Sequence, residues 1–62
     1  RQLPARDEAR RVLARLVLAA AGEVTAADVG AVLGWRRREA EAVLDEIAES
    51  RPGAGFRIWV RP

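Results

Sequence analysis

The absence of both cysteine and histidine limits most strongly what this 62-residue chain can fold into. A domain of about 60 residues buries only roughly 60% of the surface that its unfolded chain exposes, so its stability is marginal. Disulfides and structural zinc sites, which stabilise many small domains, need cysteine or histidine. The fold must therefore rest on packed aliphatic side chains or on a neighbouring domain, and we expect neither a metal nor a cofactor.

Half of the residues are apolar, which is typical of a globular chain. Uncharged runs such as Leu16 to Gly22 are too short to cross a membrane, and no export signal is visible. We therefore expect one domain over residues 1–62, with a cytoplasmic or nucleoid-associated location. The chain begins with Arg1 instead of methionine, which indicates a fragment of a longer chain or a processed product.

The side chains of the sequence argue against catalysis. Histidine, cysteine, tyrosine and lysine are absent, and there is one serine and one threonine. Most of the acids fall at solvent-facing helical positions beside arginines, and no pair of them has the surrounding cleft that acid–base catalysis requires. We therefore expect no enzymatic activity from this chain alone.

Apolar periodicity predicts three helices, over residues 4–21, 26–33 and 36–50. Thr25 is a good N-cap for the second helix, and Gly22 and Gly34 are natural stops for the first and second. The third helix has its apolar stripe at Ala40, Val43, Leu44 and Ile47. The predicted inward stripe of the first helix consists of Ala9, Val12, Leu13, Leu16, Val17 and Ala20.

The last segment, FRIWV, alternates as a half-buried strand does, which predicts a strand over residues 56–60. The alternation places Phe56, Ile58 and Val60 inward and Arg57 and Trp59 on the opposite face. A lone strand needs a partner. The short segment from Glu23 to Thr25 supplies one edge, residues 51–55 read as a loop, and we expect no second full strand within the chain.

Residues 26–47 resemble a helix-turn-helix. Gly30 lies where that family needs a small residue at the helix crossing, and Gly34 lies where its turn needs a left-handed backbone. The apolar residues around them are Val29, Leu33, Trp35, Ala40 and Val43, and Trp35 is expected to close the core. With the preceding helix and the final strand, the chain is similar to a winged-helix domain, which implies a mainly α (α+β) fold of three helices and a short wing.

Two features depart from the winged-helix pattern. Trp35 and Arg36 stand where the turn usually supplies a serine or threonine cap for the third helix. The family's wing is a hairpin, whereas one strand is predicted here, so the wing is expected to be reduced or to lack its second strand.

The resemblance implies that the third helix enters the major groove of double-stranded DNA, with its N-terminal residues on phosphates and base edges. The matching positions are Arg36, Arg37, Arg38, Glu41 and Ala42. Arginine suits this role because its planar guanidinium binds phosphates and guanine edges with two hydrogen bonds. Arg57 is a further candidate DNA contact, and Trp59 and Arg61 on the same strand face are candidates for an interface with DNA, a protein or a second copy. The alternative for Trp59 is that it packs under Pro62 or against a missing strand.

The three arginines at residues 36–38 also have an interpretation that does not include DNA. A run of three arginines is also typical of a solvated turn in an arginine-rich chain, and Glu41 and Asp45 would repel phosphates. Each arginine at the positive end of a helix lowers the stability of that helix by about 0.3–1 kcal/mol. A domain can tolerate this small loss, so the placement of the arginines indicates a function without establishing one.

Two alternatives to DNA binding follow. The mixed charge of the third helix and the aromatic final strand also suit a winged helix that binds proteins. The segment VGAVLGWRRREAEAVLDE resembles the helical N-terminal domain of organomercurial lyases, which has a similar Leu-x-Trp turn and Ala-Val-Leu helix. That resemblance implies an accessory domain of a larger enzyme, and the catalytic cysteines of those enzymes have no counterpart here.

Overall fold

The computed structural model describes residues 6–61, which form three helices and three short strands. The strands make one antiparallel sheet with β3 between β1 and β2. The fold is therefore α+β, in agreement with the fold class predicted from the sequence. In chain order, the elements are α1 (Arg6–Ala21), β1 (Glu23–Val24), α2 (Ala26–Leu33), α3 (Arg37–Ile47), β2 (Glu49–Pro52) and β3 (Arg57–Val60).

The first two helices end where the sequence predicts. α1 ends at Ala21, and Gly22 follows in a left-handed conformation with its N–H donating to the carbonyl oxygen of Leu18 at 2.7 Å. α2 has the predicted bounds, and Thr25 and Asp28 form a reciprocal capping box at its start. The predicted start of the first helix, at residues 4 and 5, lies outside the described residues.

The core lies between the three helices and one face of the sheet. Its largest fully buried side chains are those of Trp59, Leu44 and Val29. Trp35 packs against this cluster while remaining partly exposed, in agreement with its predicted role in closing the core. The buried residues are Ala14, Leu18, Val24, Ala26, Val29, Ala40, Val43, Leu44 and Trp59.

The predicted inward stripe of α1 is wrong for most of its residues, although Val17 does pack against the core. Ala14 and Leu18 are buried, whereas Val12, Leu13 and Leu16 are exposed. From Val12 onward almost every residue of this helix is apolar, so periodicity alone does not define one face. Ion pairs between arginines of α1 and acids of α3 lie beside the Ala14 face and hold it inward.

The predicted faces of β3 are also wrong. The indole of Trp59 is 1% exposed, whereas Phe56 lies before the strand in a turn and is 45% exposed. Ile58 and Val60 are half-buried. The face that carries Trp59 packs on the helices because the indole buries the larger apolar area and its N–H finds a hydrogen-bond acceptor there.

The final strand has a second partner, β2, so the expectation that the chain contains no second full strand is wrong. α3 ends at Ile47, before the predicted residue 50, because Ala48 adopts an extended conformation and residues 49–52 pair with β3. The predicted loop over residues 51–55 therefore begins only after Pro52. Proline is tolerated because β2 is an edge strand of this sheet, where a missing backbone N–H breaks no ladder.

Candidate nucleic-acid interface

A tight turn fixes the position of α3 relative to α2. Gly34 takes the left-handed conformation with φ 73°, and the Trp35 N–H donates to the carbonyl oxygen of Gly30 at 2.9 Å. A Cβ atom on Gly30 would lie 2.7 Å from the Trp35 carbonyl oxygen, so only glycine fits this crossing. Both predicted roles of the glycines are confirmed, and the turn delivers the three arginines to the start of α3.

The three arginines lie exposed at the N-terminal end of α3. Arg36 is the N-cap residue, in an extended conformation and without a side-chain capping bond, and Arg37 and Arg38 open the first turn. The Arg37 guanidinium lies 3.3 Å from the carboxylate of Glu41. Within residues 6–61, no ion pair or side-chain hydrogen bond includes Arg36 or Arg38. Their donors are therefore available to a ligand.

Two acids of α3 pair with arginines of α1. Arg10 reaches Glu39 at 3.0 Å, and Arg11 reaches Glu46 at 3.1 Å. The guanidinium of Arg10 also lies 5.7 Å from the centre of the Trp35 ring, within the range of a cation–π contact. These contacts hold α1 along one side of α3 and partly neutralise the carboxylates there.

The remaining two acids of α3 are also paired. Glu41 binds Arg37 within the helix, and Asp45 binds Arg57 of β3 at 2.5 Å. Every acidic side chain of α3 therefore has an arginine beside it. The acids that the sequence suggested would repel phosphates are partly neutralised by contacts that the one-dimensional pattern does not reveal.

Arg57 is held within the domain. Its guanidinium donates to both oxygens of Asp45 and to the hydroxyl of Ser50, at 2.8 Å from Nη2, and it lies 4.5 Å from the centre of the Trp59 ring. The indole N–H of Trp59 donates to Asp45 Oδ1 at 3.1 Å. These contacts fasten β3 to α3 and leave Arg57 few donors for DNA.

The other two strand candidates also make internal contacts. Trp59 cannot serve as the candidate interface residue, since the indole is buried and presents no surface to a partner. Arg61 donates from Nη1 to the carbonyl oxygen of Ala19 at 3.2 Å, at the negative end of α1. Its backbone N–H donates to the Gly22 carbonyl oxygen at 3.0 Å. Arg61 thus joins the end of β3 to the end of α1.

The β2–β3 hairpin exposes two residues, Phe56 and Arg51, that are not among the site candidates predicted from the sequence. Phe56 is exposed beside Gly53, whose N–H donates to the Phe56 carbonyl oxygen at 2.6 Å, and Arg51 is exposed on β2. The residue before a proline favours an extended conformation, so Arg51 before Pro52 carried a usable strand signal.

Comparison with known proteins gives no relative for this chain: no family model, curated protein or solved structure matches it significantly. None of the helices within residues 6–61 combines the length and apolar character needed to cross a membrane.

Proposed function

We propose that this chain is a winged-helix module that binds double-stranded DNA, with α3 in the major groove and the β2–β3 hairpin as its wing. The order of the elements supports this reading, because a glycine turn joins α2 to α3 and a hairpin follows α3 directly. β1 adds the short third strand beside β3. A DNA-binding role would place the protein in the cytoplasm, on the nucleoid.

The distribution of charge on α3 is the observation that carries the proposal. Each acid of this helix lies beside an arginine, whereas Arg36 and Arg38 at its start have no ion-pair partner in the described part of the chain. An approaching phosphate therefore meets exposed guanidinium groups first. Arginines at this end oppose the helix dipole, and phosphate contacts would offset that cost.

The proposed contacts follow from position. Arg36 and Arg38 bind phosphates or guanine edges, Arg37 alternates between Glu41 and the DNA, and the small exposed side chain of Ala42 permits close approach to the groove. Three phosphate contacts give a slope of roughly −2.7 in log K against log salt concentration. Arg57 has no direct DNA contact in this proposal, because Asp45 and Ser50 hold its guanidinium.

Fluorescence anisotropy with a random-sequence DNA duplex tests the proposal across a salt series. We expect Arg38→Ala to make the slope less steep by about 0.9, which corresponds to one phosphate contact. Arg15→Ala is the matched control, because it removes the same charge from the exposed surface of α1 and lies near Ile47, at the opposite end of α3. Both variants are compared at protein concentrations where sedimentation shows monomers.

Two results would contradict the proposal. Absence of DNA binding by the unmodified chain at low salt would exclude a DNA-binding role. Equal loss of slope in Arg38→Ala and Arg15→Ala would show that net charge attracts the DNA and that the start of α3 has no particular part in binding.

A further inference from the structure

α1 has two apolar faces, and the domain covers one of them. Ala14 and Leu18 face the core. On the opposite side Val12, Leu13 and Leu16 are exposed, with Leu16 at 62%. With Ala9 and Ala20 they follow the three- and four-residue spacing of one helix face, and we call this set the outer stripe of α1.

A continuous apolar stripe of this kind is typical of a surface that packs against another helix. Ala9, Val12 and Leu16 are spaced three and four residues apart, which is the pattern that packs along the seam of two helices. Val32 on α2 is also exposed, at 67%, without a comparable run of apolar neighbours along its helix.

Two exposed charges border the outer stripe. Glu8 and Arg15 lie seven residues apart, which is two helical turns, and therefore lie along the same edge of the stripe. No ion pair within residues 6–61 uses either of them. They are available to a partner helix whose charges match.

We propose that the outer stripe binds the same stripe of a second copy of this chain, with the two α1 helices antiparallel. A two-fold axis places Glu8 of each copy opposite Arg15 of the other, so both ion pairs form together. A parallel arrangement would instead place the Glu8–Arg15 edge of each copy across from the other edge of the partner stripe, where these ion pairs cannot form. In the antiparallel register Leu16 of each copy lies near the level of Ala9 in the other, where the small side chain leaves room.

The stripe is short, so the dimer is weak and transient, at the low end of specific interfaces in buried area. Association by this face does not depend on DNA binding and is measured without DNA. A negative result for DNA binding therefore does not contradict the dimer, and a negative result for the dimer does not contradict DNA binding.

Sedimentation velocity from micromolar to millimolar protein tests the dimer. We expect the unmodified chain to shift from monomer to dimer across this range and Leu16→Glu to stay monomeric. Val32→Glu is the matched control, because it places the same charge at an equally exposed apolar position outside the stripe, and we expect it to dimerise normally. Circular dichroism establishes that each variant keeps its helices.

Charge reversal tests the antiparallel arrangement. Glu8→Arg and Arg15→Glu should each raise the dimer Kd roughly threefold to tenfold, and the double variant should restore it, since the pairs re-form with reversed sign. A chain that stays monomeric up to millimolar concentration would overturn the proposal. A dimer that survives Leu16→Glu, or whose single charge reversals are not rescued by the double, would overturn it equally and point to another surface.

Discussion

The Trp59 indole N–H donates to Asp45 Oδ1 at 3.1 Å, and this bond joins the central strand of the sheet to the last turn of α3. The same carboxylate binds the guanidinium of Arg57, which in turn lies over the Trp59 ring. One exposed acid thus orients the largest buried side chain of the domain and the cation that covers it.

Replacement of Asp45 by alanine should lower the free energy of unfolding by about 1–3 kcal/mol, because the buried indole N–H loses its acceptor. Urea unfolding followed by circular dichroism measures the change. Glu49→Ala is the control, since it removes an exposed acid without an ion pair in the described residues, and it should alter stability by less than about 0.5 kcal/mol. Equal effects of the two substitutions would contradict the role assigned to Asp45.

Gly30→Ala should destabilise the domain by about 1–3 kcal/mol, because the added Cβ would lie 2.7 Å from the Trp35 carbonyl oxygen. Helix propensity alone predicts the opposite sign, a gain of about 1 kcal/mol from alanine inside a helix. Thermal unfolding therefore decides between a close helix crossing and an ordinary helical glycine.

Gly34→Ala provides the comparison for that experiment. A Cβ at Gly34 meets no atom within 4 Å, so the substitution suffers only from the left-handed backbone, at a cost of about 1–2 kcal/mol. A stabilising effect of Gly30→Ala, together with a destabilising effect of Gly34→Ala, would show that the crossing is looser than the distance indicates.

Thr25→Ala should lower stability by about 1 kcal/mol, because the threonine hydroxyl accepts the Asp28 N–H at 3.1 Å in the capping box. Thr25→Ser keeps that acceptor and should be close to neutral. Chemical unfolding of both variants measures the difference, and equal losses would mean that the methyl group of Thr25 matters more than its hydroxyl.

Glu41→Gln should strengthen binding to duplex DNA severalfold at low salt, because it removes one negative charge from the exposed face of α3 and releases Arg37. Glu23→Gln makes the same change of charge on β1 and serves as the control. Anisotropy titrations of the two variants measure the effect. Weaker binding by Glu41→Gln would indicate that Glu41 orients Arg37 for contact.

Local signals in the sequence are sufficient for the presence and order of the three helices and for the turn between α2 and α3. Thr25, Gly30 and Gly34 each act through their own backbone or a near neighbour, so the bounds of α2 follow from the sequence. The face of α1 did not follow, because its register depends on Arg10 and Arg11 meeting acids more than 25 residues away.

The sheet and the candidate interface also include features that depend on contacts between residues far apart in the sequence, and local signals do not predict these features. β2 forms because residues 49–52 pair with β3, although the helical pattern of α3 runs into them. The exposure of Arg36 and Arg38 was predictable from their position after the turn. The internal bonds of Arg57 and the burial of Trp59 were not, since both depend on Asp45, which reaches them only after α3 and β3 have packed.

The two tryptophans also give the domain a pair of built-in optical reporters. The Trp59 indole is buried between the sheet and the helices, so its fluorescence should have a short emission maximum and should resist collisional quenchers until the whole domain unfolds. Trp35, partly open beside the first turn of α3, should respond to events at that end of the helix while the fold stays intact. Titration with DNA should therefore change the quenching of Trp35 and leave that of Trp59 constant. A single fluorescence experiment without an attached label can thus distinguish DNA binding from unfolding.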